Sequence, residues 1–160
     1  MPPTEARAAV DPQAFFWRVM AGELPPPRAI QTLGGRIVHV DAEAGTVETA
    51  FQAPDTLANP TGHVQGGFLA AMLDDTLGPA LAATLARGQF APTLQLSVTF
   101  LRPARIGLLH GTGRVVRRGR EVCHLAGELR QDGEVVASAL ATALVRQARP
   151  LIPSTSHTTP

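Results

Sequence analysis

Lysine and tyrosine are absent from this chain of 160 residues, cysteine occurs once, and aromatic side chains make up only 4% of it. Without a primary amine there is no Schiff-base chemistry and no Walker-type phosphate loop, and without a phenol there is no tyrosine acid. The single cysteine, Cys123, excludes an intrachain disulfide and a cysteine-rich metal site. Its neighbours Val122, His124 and Leu125 read as strand, where a buried, inert thiol is expected. Charge is scarce as well. Only 17% of residues carry it, against the usual quarter of a soluble domain, so part of the surface is expected to be withdrawn into an oligomer interface. With 14 basic against 13 acidic residues the net charge is +1, which leaves no footprint for nucleic acid or an anionic membrane. No apolar run nears the ~20 residues that span a bilayer, because Asp74-Asp75 interrupts the longest. The start, Met1-Pro2-Pro3-Thr4, lacks the apolar core of a signal peptide, and a cytoplasmic location is expected. Gly-x-Ser-x-Gly, His-Glu-x-x-His, Cys-x-x-Cys and Gly-x-Gly-x-x-Gly are all missing.

What remains is the pattern of one α+β domain. Residues 1–10 read as a loose tail and 147–160, rich in Pro, Ser and Thr, as a disordered one, leaving a single domain over 11–146. Asp11-Pro12 opens a short helix within 11–22, which carries Phe15, Phe16, Trp17 and Met20 and stops before Pro25-Pro26-Pro27. Its aromatic residues either pack the helix or roof a pocket. Strands are expected over Ile30–Val40 and Thr46–Gln52. A polar loop from Ala53 to Gly62 then leads into helical spacing from Gly66 to Ala86, closed by Arg87-Gly88. From Thr93 to Leu101 the period is two, with Leu94, Leu96, Val98 and Phe100 alternating with Thr93, Gln95, Ser97 and Thr99. Three more strands, Gly107–Val116, Glu121–Arg130 and Glu134–Val145, are joined by hairpin turns. The last is small or apolar on both faces and belongs inside the sheet or in an interface. A single long helix covers one face of such a sheet, so an edge or the other face calls for a partner chain.

Chemistry concentrates between Asn59 and Asp75. Gly66-Gly67 stands where loop becomes helix, so its amides lack intrahelical partners and no side chain blocks a ligand oxygen from reaching them. A carbonyl oxygen gathering negative charge is stabilised by such a donor, typically by about 2.7–4 kcal/mol. On the helical wheel the apolar stripe holds Leu69, Met72, Leu73, Thr76 and Ala80. Asp74 lies away from it, among Gly67, Ala70, Leu77 and Gly78, where a carboxylate is a stronger base than in bulk water. Asp75, further round, reads as a solvated helix aspartate. Asp74 follows Gly66 by eight residues, roughly 12 Å of helix rise. One carbonyl therefore cannot meet both groups on one chain, and a shared centre needs two antiparallel helices related by a two-fold axis.

Asn59, Gln65-Gly66-Gly67, Asp74, and Thr93 at the head of a strand closing in Phe100-Leu101-Arg102-Pro103 together resemble the hotdog-fold acyl-CoA thioesterases of the phenylacetate-degradation (PaaI) type. The close match covers Asn59 to Pro103, and the strand order agrees from Ile30 to Val145. The resemblance implies an α+β hotdog fold, an antiparallel sheet of five to six strands wrapped around one long central helix. It implies a homodimer with shared active sites, usually doubled to a homotetramer. Hydrolysis of an aryl- or short/medium-chain acyl-CoA would need no metal and no cofactor, coenzyme A being part of the substrate. Position by position, Gly66 would give its amide to the thioester oxygen and Asn59 would place the carbonyl or the water. Asp74 of the facing chain would act as base or nucleophile, and Thr93 would orient water. Gln65 stands where the family most often has His. It can donate from its amide but cannot titrate, and His63, two residues earlier, points elsewhere. Gln65 and Gly67 are further candidates for substrate binding. Arg117, Arg118 and Arg120, with Arg114, gather near one hairpin tip, where they either meet the phosphates of coenzyme A or guard the turn. His39, His110 and His124 have no second ligand at metal spacing. Two alternatives stay open: a non-catalytic acyl-CoA-binding module on the same scaffold, and a hydratase, which would want an Asp-His pair that the local match does not offer.

Overall fold

A computed structural model describes residues 10–148. The expected tails over 1–9 and 149–160 lie outside the described residues. In chain order the elements are α1 (Phe15–Met20), α2 (Arg28–Thr32), β1 (Gly35–Asp41), β2 (Thr46–Ala53), a 3-10 turn (Asp55–Leu57), α3 (Gly66–Ala82), β3 (Gln89–Phe90), β4 (Thr93–Phe100), β5 (Gly107–Arg118), β6 (Val122–Gln131), β7 (Glu134–Leu144) and β8 (Arg146–Gln147). Six strands form one antiparallel sheet in the order β1-β2-β5-β6-β7-β4, and β3 pairs with β8 in a second, two-stranded one. The sheet wraps α3, whose buried face (Leu69, Met72, Leu73, Thr76, Leu77, Ala80, Leu81) meets Phe51, Leu109, Leu125 and Leu129 from the central strands. This is the helix-in-sheet arrangement that the family resemblance implies. The expectation that β7 lies inside the sheet also holds, since it stands between β6 and β4.

Three glycines let the helix come close. A Cβ on Gly113 would stand 3.0 Å from the Thr76 carbonyl oxygen, and one on Gly127 would stand 2.9 Å from Leu77 Cδ2. A Cβ on Gly111 would collide with the hydroxyls of Thr49 and Thr76. Those two hydroxyls are buried and lie 2.8 Å apart. Thr76 donates to the Met72 carbonyl at 2.8 Å, so Thr49 is the donor of the pair. The helix is thus tied to β2 near its midpoint, two residues from Asp74.

Several sequence expectations are corrected. The strand expected over Ile30–Val40 starts only at Gly35, because Arg28–Thr32 is helical behind Pro27 and the chain turns at Gly34 (φ +67). Any side chain at Gly34 would strike the Gln52 carbonyl, so the turn packs directly on β2. Helix α3 ends at Ala82 rather than Ala86, and Thr84 Oγ1 donates to the Leu81 carbonyl at 2.8 Å, satisfying one of its terminal acceptors. Gln147 belongs to β8 rather than to a tail. Asp11 caps no helix: Ala14 occupies that position, and the Asp11 carboxylate instead accepts the Arg87 amide at 2.7 Å, joining the start of the domain to the turn after α3. Phe16 is buried against Trp17, whose Nε1 donates to the Ala83 carbonyl at 3.1 Å. The first helix therefore packs on the C-terminal end of α3, at the opposite end from Gly66.

Among the described residues the edge strand β4 has no neighbour on one side, and the apolar side chains Leu94, Phe100 and Leu101 at its ends are all more than half exposed. A sheet edge of this kind is a ready site for pairing with another chain.

Candidate active site

The N-terminus of α3 is presented by a loop that binds itself. Asn59 Oδ1 accepts from the Thr61 amide at 2.9 Å, the Thr61 hydroxyl at 2.7 Å and the His63 amide at 3.1 Å. The Asn59 amide donates back to the His63 carbonyl at 2.7 Å, and the Gln65 amide reaches the Leu57 carbonyl at 2.9 Å. Asn59 therefore shapes the loop with its oxygen, which leaves the side-chain amide nitrogen for outside work. His63 shares its ring nitrogen with the Thr61 hydroxyl at 3.2 Å and is held inside the loop. Gln65 is the N-cap residue and makes no side-chain capping bond. Its carbonyl accepts the Phe68 and Leu69 amides. The amides of Gly66 and Gly67, at the first two helical positions, have no acceptor within the helix. A Cβ on Gly67 would meet nothing within 4 Å, whereas one on Gly66 would rest 3.2 Å from Phe100 Cζ.

Asp74 and Thr93 are brought together: Thr93 Oγ1 donates to Asp74 Oδ1 at 2.8 Å. Strict alternation would put Thr93 with Ser97 and Thr99 on the face away from α3. The register of β4 against β7 slips between Thr93 and Gln95, a bulge that admits one extra residue. The bulge turns Thr93 to the helix while Leu96 and Val98 keep packing on the core. The pattern of apolar residues carried no sign of this.

Asp75 is not the solvated residue expected. Its Oδ2 is buried with no hydrogen-bond partner among the described residues, and burial, followed by the negative charge of Asp74, pushes its carboxyl up from 3.8 to about 6. Leu77, expected beside Asp74 on an open face, is buried too. Since the folded pKa of Asp75 exceeds the unfolded one, the folded state binds the extra proton between about pH 4 and 6, and stability falls as pH rises through that window. Asp75→Asn is expected to remove this loss. After discounting for the solvent the group still reaches, the gain above pH 6 is about 1 kcal/mol, or ~2–4 °C in melting temperature. Melting curves at pH 4 and pH 8 check it: the two proteins should coincide at the acid end and separate at the alkaline end.

The arginines do not act as one cluster. Arg114 lines the outer face of the sheet with Thr112, Glu128 and Leu140. Arg118 is partly buried and already engaged, donating to the Gly119 carbonyl at 2.6 Å, to Cys123 Sγ at 3.3 Å and to Thr84 Oγ1 at 3.2 Å. These bonds clamp the hairpin to the turn after α3. Arg117 and Arg120 are exposed. Register places this hairpin at the Thr93 end of the sheet, since Arg118, Cys123, Ala143 and Thr93 stand opposite one another in turn. Three strand spacings make that about 14 Å.

The site thus has two halves on one chain, open helix-start amides at one end and a threonine-bound carboxylate eight residues on. Among the described residues no three His, Cys, Asp or Glu side chains gather to hold a metal. A family model described as the thioesterase superfamily matches residues 61–138. A phenylacetic acid degradation-related protein from Ralstonia eutropha JMP134 is 51% identical, with 81% of this chain and 98% of that one covered and a TM-score of 0.80. The chain belongs to the thioesterase superfamily. It is a thioester hydrolase with the hotdog fold, related to the PaaI-type thioesterases. Two more distant structures share that fold. One is a thioesterase family protein from Silicibacter pomeroyi (23% identity, 83% of this chain and 99% of that one, TM-score 0.74). The other is the E. coli PaaI protein from the phenylacetic acid degradation operon (20% identity, 83% and 94%, TM-score 0.73). No curated protein matches the sequence. A non-catalytic binding module and a hydratase give way to the thioesterase reading.

Proposed function

We propose that this thioesterase is a cytoplasmic enzyme that hydrolyses an aryl- or short/medium-chain acyl-CoA to the free acid and coenzyme A, with Asp74 as the reacting carboxylate. The observation that carries the proposal is the Thr93–Asp74 hydrogen bond at 2.8 Å. It fixes one carboxylate oxygen and leaves the other free to take a proton from water or to attack the thioester carbon. The carbonyl oxygen is held by the Gly66 amide, with the helix dipole and the neighbouring Gly67 amide adding positive character. In this reading Gln65 and the Asn59 side-chain amide donate to the substrate. Arg117 and Arg120, exposed and at the same end of the sheet as Thr93, meet the coenzyme A phosphates.

Because α3 runs unbroken from Gly66 to Ala82, the Gly66 amide and Asp74 of one chain stand roughly 12 Å apart along the axis. The active site is therefore shared: Asp74 and Thr93 of one chain work opposite Gly66 of its partner in a homodimer, which doubles into a tetramer. The bare edge of β4 supports pairing at that side.

The test is release of free thiol from a panel of aryl- and alkyl-CoA thioesters. A single turnover in heavy-oxygen water, run with trapping of an acyl–Asp74 anhydride, separates the two roles of Asp74: unlabelled acid with the label left in Asp74, or a trapped anhydride, shows attack, whereas labelled acid with no trappable anhydride shows a base. Gly67→Ala adds a further check. Its Cβ meets nothing within the chain, so the variant is expected to melt at the same temperature or higher, alanine being favoured over glycine in a helix by about 0.5–1 kcal/mol. Its kcat/KM is expected to fall about tenfold, because the methyl group occupies the space through which the substrate approaches the amides. Full activity in Gly67→Ala would move the oxygen site elsewhere.

A further inference from the structure

We propose that Phe100 is a specificity-determining residue of this enzyme, the wall that limits the width of the acyl group at the carbon next to the thioester carbonyl. The inference rests on the reading of Gly66 as the carbonyl-oxygen site and adds to it the group that flanks that site.

Register fixes where Phe100 points. It stands opposite Ala137 of β7, which is completely buried, and it continues the inward series Leu96 and Val98, whose side chains pack on the core. Ser97 and Thr99, the alternate residues, line the outer face. Phe100 therefore lies on the helix side of β4, and it reaches the first residue of α3. A Cβ built on Gly66 would meet Phe100 Cζ at 3.2 Å and its Cε1 and Cε2 at 3.5 Å, so the tip of the ring rests on the Gly66 Cα.

In the single chain Phe100 is 53% exposed, at the β4 edge where the partner chain pairs, while its tip rests on the helix start; the ring thus borders the site shared between the two chains. An oxygen accepting from the Gly66 amide sits about 2.9 Å from that nitrogen. The carbon bonded to this carbonyl, and whatever branches from it, then lies within a side chain's length of the ring. The ring is rigid and has only two rotatable bonds, so it resists a branched acyl group more firmly than a flexible side chain would. The same contact adds a second reason for glycine at residue 66. Any side chain there would push the ring, and with it the wall.

The experiment compares wild type, Phe100→Leu and Phe100→Ala on butyryl-CoA, 2-methylpropanoyl-CoA and 2,2-dimethylpropanoyl-CoA. One methyl group admitted to or excluded from a pocket changes selectivity by about 10–200-fold. The kcat/KM ratio of branched to straight substrate is therefore expected to rise at least tenfold in Phe100→Ala and less in Phe100→Leu, mainly through KM of the branched substrates. Hydrolysis of butyryl-CoA should change far less. In parallel, calorimetry measures binding of non-hydrolysable 2-oxoalkyl ketone analogues of the straight and branched substrates to the same three proteins. A raised branched-to-straight affinity ratio supports the assignment even if wild type releases no thiol, in which case only the hydrolytic reading falls. An unchanged ratio in both kcat/KM and affinity overturns the assignment of Phe100, whatever the activity of the wild type. Phe100→Leu keeps the proposal testable if the alanine variant folds poorly.

Discussion

Asp74→Asn is expected to lower kcat for thioester hydrolysis by about 10²–10⁴-fold, the usual contribution of a positioned acid–base group, with little change in melting temperature. The amide keeps an oxygen that can accept from Thr93 Oγ1, now 2.8 Å from Asp74 Oδ1, so the geometry survives while the base and nucleophile are lost. An exposed hydrogen bond of this kind contributes only about 0.5–1.5 kcal/mol, which bounds the stability change even if the bond breaks. Losing the charge of Asp74 also relieves part of the pressure on Asp75, whose carboxyl stands at about 6 for burial first and the Asp74 charge second. Its pKa should move down, and proton titration by NMR reads that directly. Equal turnover by Asp74→Asn and wild type would remove Asp74 from the mechanism. Subunit mixing then tests the shared site. Asp74→Asn and Gly66→Val, each inactive alone, are refolded together at equal amounts. Random pairing puts half of the dimers in the mixed form with one intact site of two, so activity should return to about a quarter of wild type. No recovery from the mixture would place both groups on one chain, against the length of helix between them.

The elements most legible in the sequence were those with a strict period. The alternation of Leu96 and Val98 with Ser97 and Thr99 gives β4, and the glycine-bounded hairpins give β5, β6 and β7. The helical spacing after Gly66 gives α3. The position of Asp74 on that helix was legible too, and so was the distance that separates it from the glycine pair. Three features were hidden because they depend on contacts between distant residues. The segment at Ile30 carries strand-like residues, yet Pro27 and the turn at Gly34 against Gln52 make it a helix and shorten β1. The bulge at Thr93 arises from pairing with β7 and has no compositional mark. Asp75 looked like Asp74's solvated neighbour, because a helical wheel shows direction and not how far the surrounding sheet closes over the residue. The division of the arginines was hidden for the same reason: adjacent in sequence, they part between the outer face, the clamp at Arg118 and the solvent.

Gly111→Ala should cost about 3–5 kcal/mol, the sum of an overpacked core and a disturbed buried hydrogen bond, and lower the melting temperature by roughly 10 °C for a domain of this size. Nothing in the backbone forbids alanine there, since Gly111 is an extended residue of β5 opposite Thr49. The obstacle is the helix. The new Cβ would stand 2.6 Å from Thr76 Oγ1 and closer still to Thr49 Oγ1, and both hydroxyls are buried and already bonded, to each other and to the Met72 carbonyl. Neither can turn to solvent, so either the pair breaks or α3 lifts from the sheet. Lifting α3 carries Asp74, two residues before Thr76, away from Thr93 on β4, so surviving activity should fall along with stability. Thr49→Ala in the same chain removes the nearer obstacle and leaves Thr76 its bond to Met72. The double variant should therefore be more stable than the two single losses added together predict, a coupling measured by thermal or denaturant melts of all four proteins. Strict additivity would mean that the helix does not rest on β5 through these two hydroxyls, and the close approach permitted by Gly111, Gly113 and Gly127 would need another cause.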